Sequence, residues 1–320
     1  MRHLSLFCTL LLAPALFAEG LKLERTITVP PGGDVRSTAL SPKGDFIASA
    51  CKDGRVRLWT FPAGEFRQAF DLQDQQVSSL EFSSDGALLA VGGNRGTVRI
   101  WSIPSGKLKH EMKVGGSVAS LAISPDKSLL ALAPGDAPAQ LWDLASGTRV
   151  TELPAKFAGS SAVTFSPDGK WLASADEDTE IRIYEAQTGA LRATSGDFLL
   201  ETFGITFSPD SKFLYAGGAD KTISAIDVAN GKVLHTFPKQ TYAVLGMKAS
   251  RDGKSLVAVY FDEKGSNNPA PVLVWDVAAQ SVRTTILQPD FTANGGEFLP
   301  DGRLLLTSSS VGKLLVWSVR

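Results

Sequence analysis

The sequence predicts an all-β fold, a seven-bladed β-propeller built from four-stranded antiparallel blades. Three observations support this prediction. An aromatic position recurs about every 42 residues, a turn resembling Ser-Pro-Asp-Gly precedes most of these positions by 18 residues, and short apolar runs alternate with the turns. One four-stranded unit cannot bury both of its faces, so each unit requires a copy of itself on either side. The predicted propeller covers residues 19–320.

The first 18 residues have the layout of a secretory signal peptide. A short basic start is followed by an apolar run and by small residues that lead to Ala18, after which we expect cleavage, with Ala15 as the alternative. The run of about 15 apolar residues is shorter than the roughly 20 that a membrane-spanning helix needs, and no later segment is a candidate span. We therefore expect an exported protein, either periplasmic or extracellular, without a membrane span.

The composition and the net charge argue against a nucleic-acid partner and against an internal disulfide. Lys and Arg number 32 against 33 for Asp and Glu, and no dense basic run is present, so nucleic acid is not an expected partner. Removal of the signal peptide leaves Cys51 as the one cysteine, so the fold has to be held by packing without an internal disulfide. Cys51 is expected to be buried.

The aromatic position defines seven units, and each ends a β-type run such as RVRLW or EIRIY. It is occupied by Trp59, Trp101, Trp142, Tyr184, Ile226, Trp275 and Trp317. The first turns of the units begin at Ser41, Ser83, Ser124, Ser166, Ser208, Ser250 and Leu299. The sixth turn lies 25 residues ahead of its aromatic position, where the others lie 18 ahead, so the sixth unit carries an insertion.

Within a unit, the turns separate four short strands. In the fourth unit, AVTF leads into the Pro-Asp-Gly turn, WLASA follows, and an acidic turn (Asp176, Glu177, Asp178) precedes IRIYEA. A second glycine turn and a fourth strand complete the unit. The acidic turn could hold a metal, but Asp53, Asp136 and Asp220 occupy the place of Asp178 in other units. A recurring aspartate indicates a turn whose side chain bonds the local backbone.

These residues resemble the WD-repeat β-propeller family. Trp142-Asp143 and Trp275-Asp276 carry the Trp-Asp pair, and the resemblance spans about residues 21 to 320. The family's frequent Gly-His pair is missing from every repeat, so apolar packing between sheets is expected to hold the blades together. Seven first turns but only six second turns are present, because the chain stops within a third strand. We expect residues 21–29 to supply the missing outer strand and to close the ring.

No catalytic constellation is recognisable, so we expect a protein that is not an enzyme and has no cofactor. His110 and His235 both fall on predicted outer strands of different blades, where neither reaches the central channel. Glycine-rich phosphate-binding loops are absent as well. Two alternatives stay open: a hydrolase or lactonase with at least three acidic or histidine side chains converging on the channel, and a propeller that binds a small ligand or glycan in a closed pocket.

Within the resembled family, the loops that join strand two to strand three and strand four to the next blade share one face, the top face. Aromatic residues lie in or beside these loops in blades 4 to 7, and blade 6 adds its insertion there. The candidate partner-binding residues are Phe157, Phe198, Phe203, Tyr242, Phe261, Asp262, Glu263, Lys264 and Phe291. Aromatic residues are enriched at interface hot spots. The sequence therefore predicts a monomeric platform that binds another protein on one side of its top face.

Overall fold

The structure is a computed structural model that describes residues 21–29, 35–72, 76–155, 159–196, 200–262, 270–287, 293–308 and 312–319. Over these ranges the chain forms 28 strands and no helix. The strands make seven separate four-stranded antiparallel sheets, which are the blades of a propeller. A helix that could cross a membrane is absent from the same ranges. The predicted signal peptide lies outside them and stays a prediction.

The first four blades are each built from four consecutive strands. Blade 1 contains β2 (Val35–Leu40), β3 (Phe46–Cys51), β4 (Arg55–Thr60) and β5 (Phe66–Asp71). Blade 2 contains β6 (Val77–Phe82), β7 (Leu88–Gly93), β8 (Thr97–Ser102) and β9 (Leu108–Lys113). Blade 3 contains β10 (Val118–Ile123), β11 (Leu129–Pro134), β12 (Gln140–Asp143) and β13 (Thr148–Glu152). Blade 4 contains β14 (Ser160–Phe165), β15 (Trp171–Asp176), β16 (Ile181–Glu185) and β17 (Leu191–Ser195).

The last three blades include the one that draws on both ends of the chain. Blade 5 contains β18 (Thr202–Phe207), β19 (Phe213–Gly218), β20 (Ile223–Asp227) and β21 (Val233–Thr236). Blade 6 contains β22 (Ala243–Ala249), β23 (Ser255–Phe261), β24 (Val272–Asp276) and β25 (Ser281–Ile286). Blade 7 contains β26 (Ala293–Phe298), β27 (Leu304–Ser308), β28 (Lys313–Val319) and β1 (Leu21–Thr28).

The N-terminal strand closes the ring, as the sequence predicts. β1 pairs antiparallel with β28, and its register runs from Leu21 opposite Val319 to Thr28 opposite Lys313. One residue further on, the backbone N–H of Val29 donates to the carbonyl of Gly312 at 2.8 Å. The outer edge of β28 is therefore covered by a strand from the other end of the chain.

Apolar packing between neighbouring blades forms the core. Seven clusters of buried residues lie in the structure, and each joins one blade to the next around the ring. In the cluster between blades 5 and 6, the ring of Phe237 lies edge-on to Trp275, with centroids 5.5 Å apart. Full burial of one such side chain contributes about 1.5–3 kcal/mol. The seven interfaces therefore supply the packing expected in the absence of the family's histidine.

In blades 2 to 6, the first turn is fixed by a serine and an aspartate. In blade 4, the Ser166 hydroxyl donates to Asp168 at 2.6 Å and accepts from the backbone N–H of Trp171 at 2.9 Å. The turn then needs a left-handed residue, and Gly169 has φ of 73° there. Lys127 and Ser211 adopt the same conformation in blades 3 and 5. Hydrogen bonding therefore imposes this turn even where glycine is missing.

Candidate functional site

The first strands of all seven blades line a central channel with a volume of about 690 Å³. Each of these strands contains a β-bulge near its top end, which leaves one residue unpaired with the second strand. The bulge residues are Arg36, Ser78, Ala119, Ser161, Phe203, Leu245 and Asn294. Because the bulge recurs at the same place in every blade, positions along the seven strands can be compared directly.

The residues three places after the bulge form what we call the inner ring. It consists of Ala39, Glu81, Ala122, Thr164, Thr206, Lys248 and Glu297. Three of the seven positions carry charges, and Glu81, Lys248 and Glu297 all line the channel. Sequence reasoning missed this cluster, although a signal exists. Each inner-ring residue lies two places before the first residue of its blade's first turn.

The two inner-ring glutamates bridge neighbouring blades. A carboxylate oxygen of Glu297 in blade 7 accepts a hydrogen bond of 3.1 Å from the backbone N–H of Leu40 in blade 1. Glu81 in blade 2 accepts an equivalent bond from the backbone N–H of Ile123 in blade 3. Both donors lie on the channel edge of a first strand, where no strand pairs with them. Each carboxylate therefore satisfies an edge amide while remaining beside the channel.

Burial in the channel wall favours the protonated form of both glutamates. It raises the pKa of Glu81 to about 7; the cation of Lys248 opposes the shift and the nearby Glu297 reinforces it. Burial also raises the pKa of Glu297, against the opposing effects of Lys248, the Leu40 N–H and Arg251. Both side chains keep some surface open to the channel, but protein atoms surround their carboxyl groups. The channel therefore contains a carboxyl group that titrates near neutral pH.

Lys248 is electrostatically coupled to both glutamates without touching either. Within the described part of the chain it forms no direct ion pair with Glu81 or Glu297. Below it, the Arg251 guanidinium of blade 6 donates to the carbonyl of Pro42 in blade 1 and reaches past blade 7 to do so. The arrangement places two carboxyl groups and an ammonium group around one water-accessible cavity. It can take up a proton or a small charged molecule.

At the upper end of the channel, the structure brings together part of the predicted aromatic set. The rings of Phe203 in blade 5 and Phe261 in blade 6 meet edge-on, with centroids 5.7 Å apart, and both are half-buried. Tyr242 is also half-buried and packs against the apolar cluster between the same blades. Asp262 follows Phe261 and is half-buried. The other predicted residues, Phe157, Phe198, Glu263, Lys264 and Phe291, lie outside the described residues.

The acidic turn of blade 4 is a turn stabilised by a buried arginine. The side chain of Asp178 accepts from the backbone N–H of Glu180 at 3.2 Å, and Asp53 and Asp220 make the same bond in their blades. Arg182, only 3% exposed, forms ion pairs of 2.5 Å with Asp176, Asp178 and Glu180. A fixed cation therefore stands among these carboxylates.

The histidines of the described ranges lie on outer strands, away from the acidic side chains of the channel. No group of three His, Cys, Asp or Glu side chains within them is placed to hold a metal ion. His110 lies on β9 and His235 on β21, the outer strands of blades 2 and 5. His235 packs against the ring of Phe237, with centroids 5.3 Å apart, and burial lowers its pKa. Within those ranges, two acidic side chains converge on the channel, where the hydrolase alternative requires at least three.

Comparison with known families identifies the class of protein. The model of the WD domain, G-beta repeat, matches residues 21–60, 147–185 and 202–227, and that of the anaphase-promoting complex subunit 4 WD40 domain matches residues 66–121. A search of curated proteins finds no match. With the seven four-stranded blades, these matches show that the chain belongs to the WD-repeat β-propeller family. Propellers of this kind are typically platforms for protein interaction.

The titration of Glu81 predicts a pH-dependent stability. Its folded pKa of about 7 exceeds the ordinary value of 4.5, so its contribution is fully present below pH 4.5 and is lost as the pH rises through 7. Glu81→Gln should match wild type near pH 4.5 and exceed its free energy of unfolding by roughly 3 kcal/mol at pH 8. Denaturant titrations across this pH range measure the difference. The exposed control Glu65→Gln should show no such trend, and a difference for Glu81→Gln that does not vary with pH would contradict the assignment.

Proposed function

We propose that this chain is an exported platform that binds another protein through the top-face loops of blades 4 to 7. The observation that carries the proposal is the Phe203–Phe261 pair, which joins two neighbouring blades at the upper end of the channel. Half-buried aromatic rings on a rigid scaffold are the usual anchors of a protein interface. The apolar signal peptide layout of residues 1–18 supports export.

The bulge positions support a one-sided site. In blades 2 to 4 these positions hold the small residues Ser78, Ala119 and Ser161, whereas blades 5 and 6 place Phe203 and Leu245 there. The rigid backbone repeats, so the difference lies in the side chains. A partner docking over blades 5 and 6 would meet apolar surface, while one docking over blades 2 to 4 would meet small and mostly hydroxyl side chains.

The remaining candidates extend this surface in the proposal. Phe157 and Phe198 would add apolar contacts from the entries to blades 4 and 5, and Phe291 from the entry to blade 7. The blade 6 insertion would add Asp262, Glu263 and Lys264 as polar contacts at the rim. Loops on a rigid scaffold commonly carry function in this way. The proposal includes no catalytic step and no cofactor. In it, one monomeric propeller binds one partner molecule.

Affinity capture from an envelope extract tests the proposal. The wild-type protein is compared with the double variant Phe203→Ala and Phe261→Ala, and a captured protein is identified by mass spectrometry. Loss of two anchors of about 2 kcal/mol each should reduce binding by far more than about tenfold. Fractionation of the expressed protein in the same experiment tests export.

The control variant removes apolar side chains elsewhere. Phe66 and Leu108 lie on the outer strands β5 and β9 and are 56% and 49% exposed. Replacing both with alanine should leave capture unchanged. Equal capture by the top-face variant and wild type, with equal melting temperatures, would contradict the proposal. The same holds if the outer-strand control loses the partner equally.

A further inference from the structure

We propose that the central channel binds a compact zwitterion, a molecule that carries an ammonium group and a carboxylate group a short distance apart. The juxtaposition that carries the proposal is that of Glu81, Glu297 and Lys248, which face one cavity from equivalent positions on three blades. This site is separate from the aromatic pair at the rim. It goes beyond the proposed function, because it concerns a small molecule and not a partner protein.

The charged side chains of the channel interact electrostatically but are not joined by direct ion pairs in the described residues. A direct ion pair would satisfy both signs within the protein, whereas Lys248 lies close enough to influence both glutamates and pairs directly with neither in the described residues. Each glutamate accepts one backbone N–H, which leaves further acceptor capacity on its carboxylate. An ammonium group between Glu81 and Glu297 would also reduce the repulsion between them.

The distribution of side chains leaves space for the body of such a ligand. The charged residues come from blades 6, 7 and 2, and the rest of the lining combines apolar side chains with small or hydroxyl residues that include Ser120, Thr164 and Gly204. A volume of about 690 Å³ lies in the range of about 300–1,000 Å³ that is usual for small-molecule sites. The hydroxyl groups could bond the polar middle of a short molecule.

Ligands that carry only positive or only negative charge fit this set of side chains less well. A divalent cation prefers several oxygen ligands, and here two carboxylates share the cavity with the Lys248 ammonium. An anion would meet Lys248 and Arg251, whose guanidinium already donates to the carbonyl of Pro42, but also two glutamates. A ligand with both signs places its ammonium against the glutamates and its carboxylate against Lys248, so that Glu81, Glu297 and Lys248 each gain a partner.

Proton uptake should compete with the ligand. Burial favours the protonated form of both glutamates, and Lys248 and Arg251 are the cations that oppose this effect. An ammonium group binds the ionised carboxylates, so affinity should rise as the pH increases from 6 to 8, through the titration of Glu81. Binding should also release protons, which calorimetry detects as a dependence of the heat on the buffer.

Calorimetry on the full chain tests the site with defined probes. L-alanine, γ-aminobutyrate and dialanine carry the two charges at increasing separation, and the N-acetylated form and the amide of each lack one charge. We expect at least one zwitterion to bind with a dissociation constant of about 1 mM or tighter, and its blocked forms to bind at least about tenfold more weakly. Blocked forms that bind as well as the parent would overturn the proposal.

Variants then locate the binding. Glu297→Gln keeps an acceptor for the Leu40 N–H and should weaken the probe at least about tenfold, as should Lys248→Met. The controls Glu65→Gln and Lys109→Met change the same residue types on the exposed outside of blades 1 and 2 and should have no effect. Binding that survives both channel variants, or the absence of heat with all three zwitterions at about 10 mM, would overturn the proposal. The rim aromatics stay intact in these variants, so the outcome is independent of partner capture.

Discussion

A chain that lacks residues 19–30 is expected to lose more than about 10 °C in melting temperature, or to fail to fold. The deletion removes β1 and Val29, the residue that follows it. Ile27 and Val29 are 5% and 4% exposed and belong to the cluster that joins blades 7 and 1. Burial of two such side chains contributes about 1.5–3 kcal/mol each, and the lost backbone bonds to β28 add to this. A loss of more than about 4 kcal/mol corresponds to roughly 10 °C for a large domain.

Thermal unfolding of purified protein measures this effect. The exposed substitution Lys22→Ala, on the same strand, is the control and should change the melting temperature by little. A synthetic peptide of residues 19–30, added to the truncated chain, should restore stability because it can occupy the same edge of β28. An unchanged melting temperature after the deletion would show that β1 does not close the ring.

Replacement of Arg182 with methionine should destabilise the protein by about 3–5 kcal/mol, because it leaves buried carboxylates without their cation. Asp176 and Asp178 are 2% and 7% exposed and both pair with this guanidinium. Although burial opposes its charge, the hydrogen bonds that its guanidinium donates to the two aspartates raise the pKa of Arg182 above its ordinary value. Denaturant unfolding should report the loss as a lower midpoint.

Two further variants make this result specific. Arg149 pairs with Glu152 at 3.6 Å on the surface, and both side chains are about half exposed, so Arg149→Met should cost less than about 1 kcal/mol. Adding Asp176→Asn to Arg182→Met should recover part of the loss, since it removes one uncompensated charge. Equal effects of Arg182→Met and Arg149→Met would show that the buried cluster contributes nothing beyond a surface pair.

The fold could be predicted because its information is local and repeated. Each blade carries its own turn residues, and the serine–aspartate bonds at Ser166 and its equivalents act within six residues. Ring closure followed from a count of turns, which left one blade without an outer strand. The structure confirms the blades and the ring closure. Both could be inferred from the repeat pattern alone, without knowledge of which distant residues are in contact.

The channel cluster could not be read in the same way. Glu81 and Glu297 are separated by more than 200 residues in the sequence, and each lies near the end of a short first strand like that of any blade. Only closure of the ring brings blades 2, 6 and 7 around one cavity. The buried arginine of blade 4 had a signal that was overlooked. Arg57, Arg99 and Arg182 all lie two residues before the recurrent aromatic position.

The placement of β1 against β28 also sets an order of events during synthesis. Of the 28 strands that the structure describes, β1 is made first and its pairing partner β28 is made last. Every nascent intermediate that lacks β28 therefore exposes the edge of the earliest strand and an apolar blade face, and the circle cannot be completed before β28 is made. A chaperone or protease that recognises such surfaces would thus distinguish finished molecules from interrupted ones.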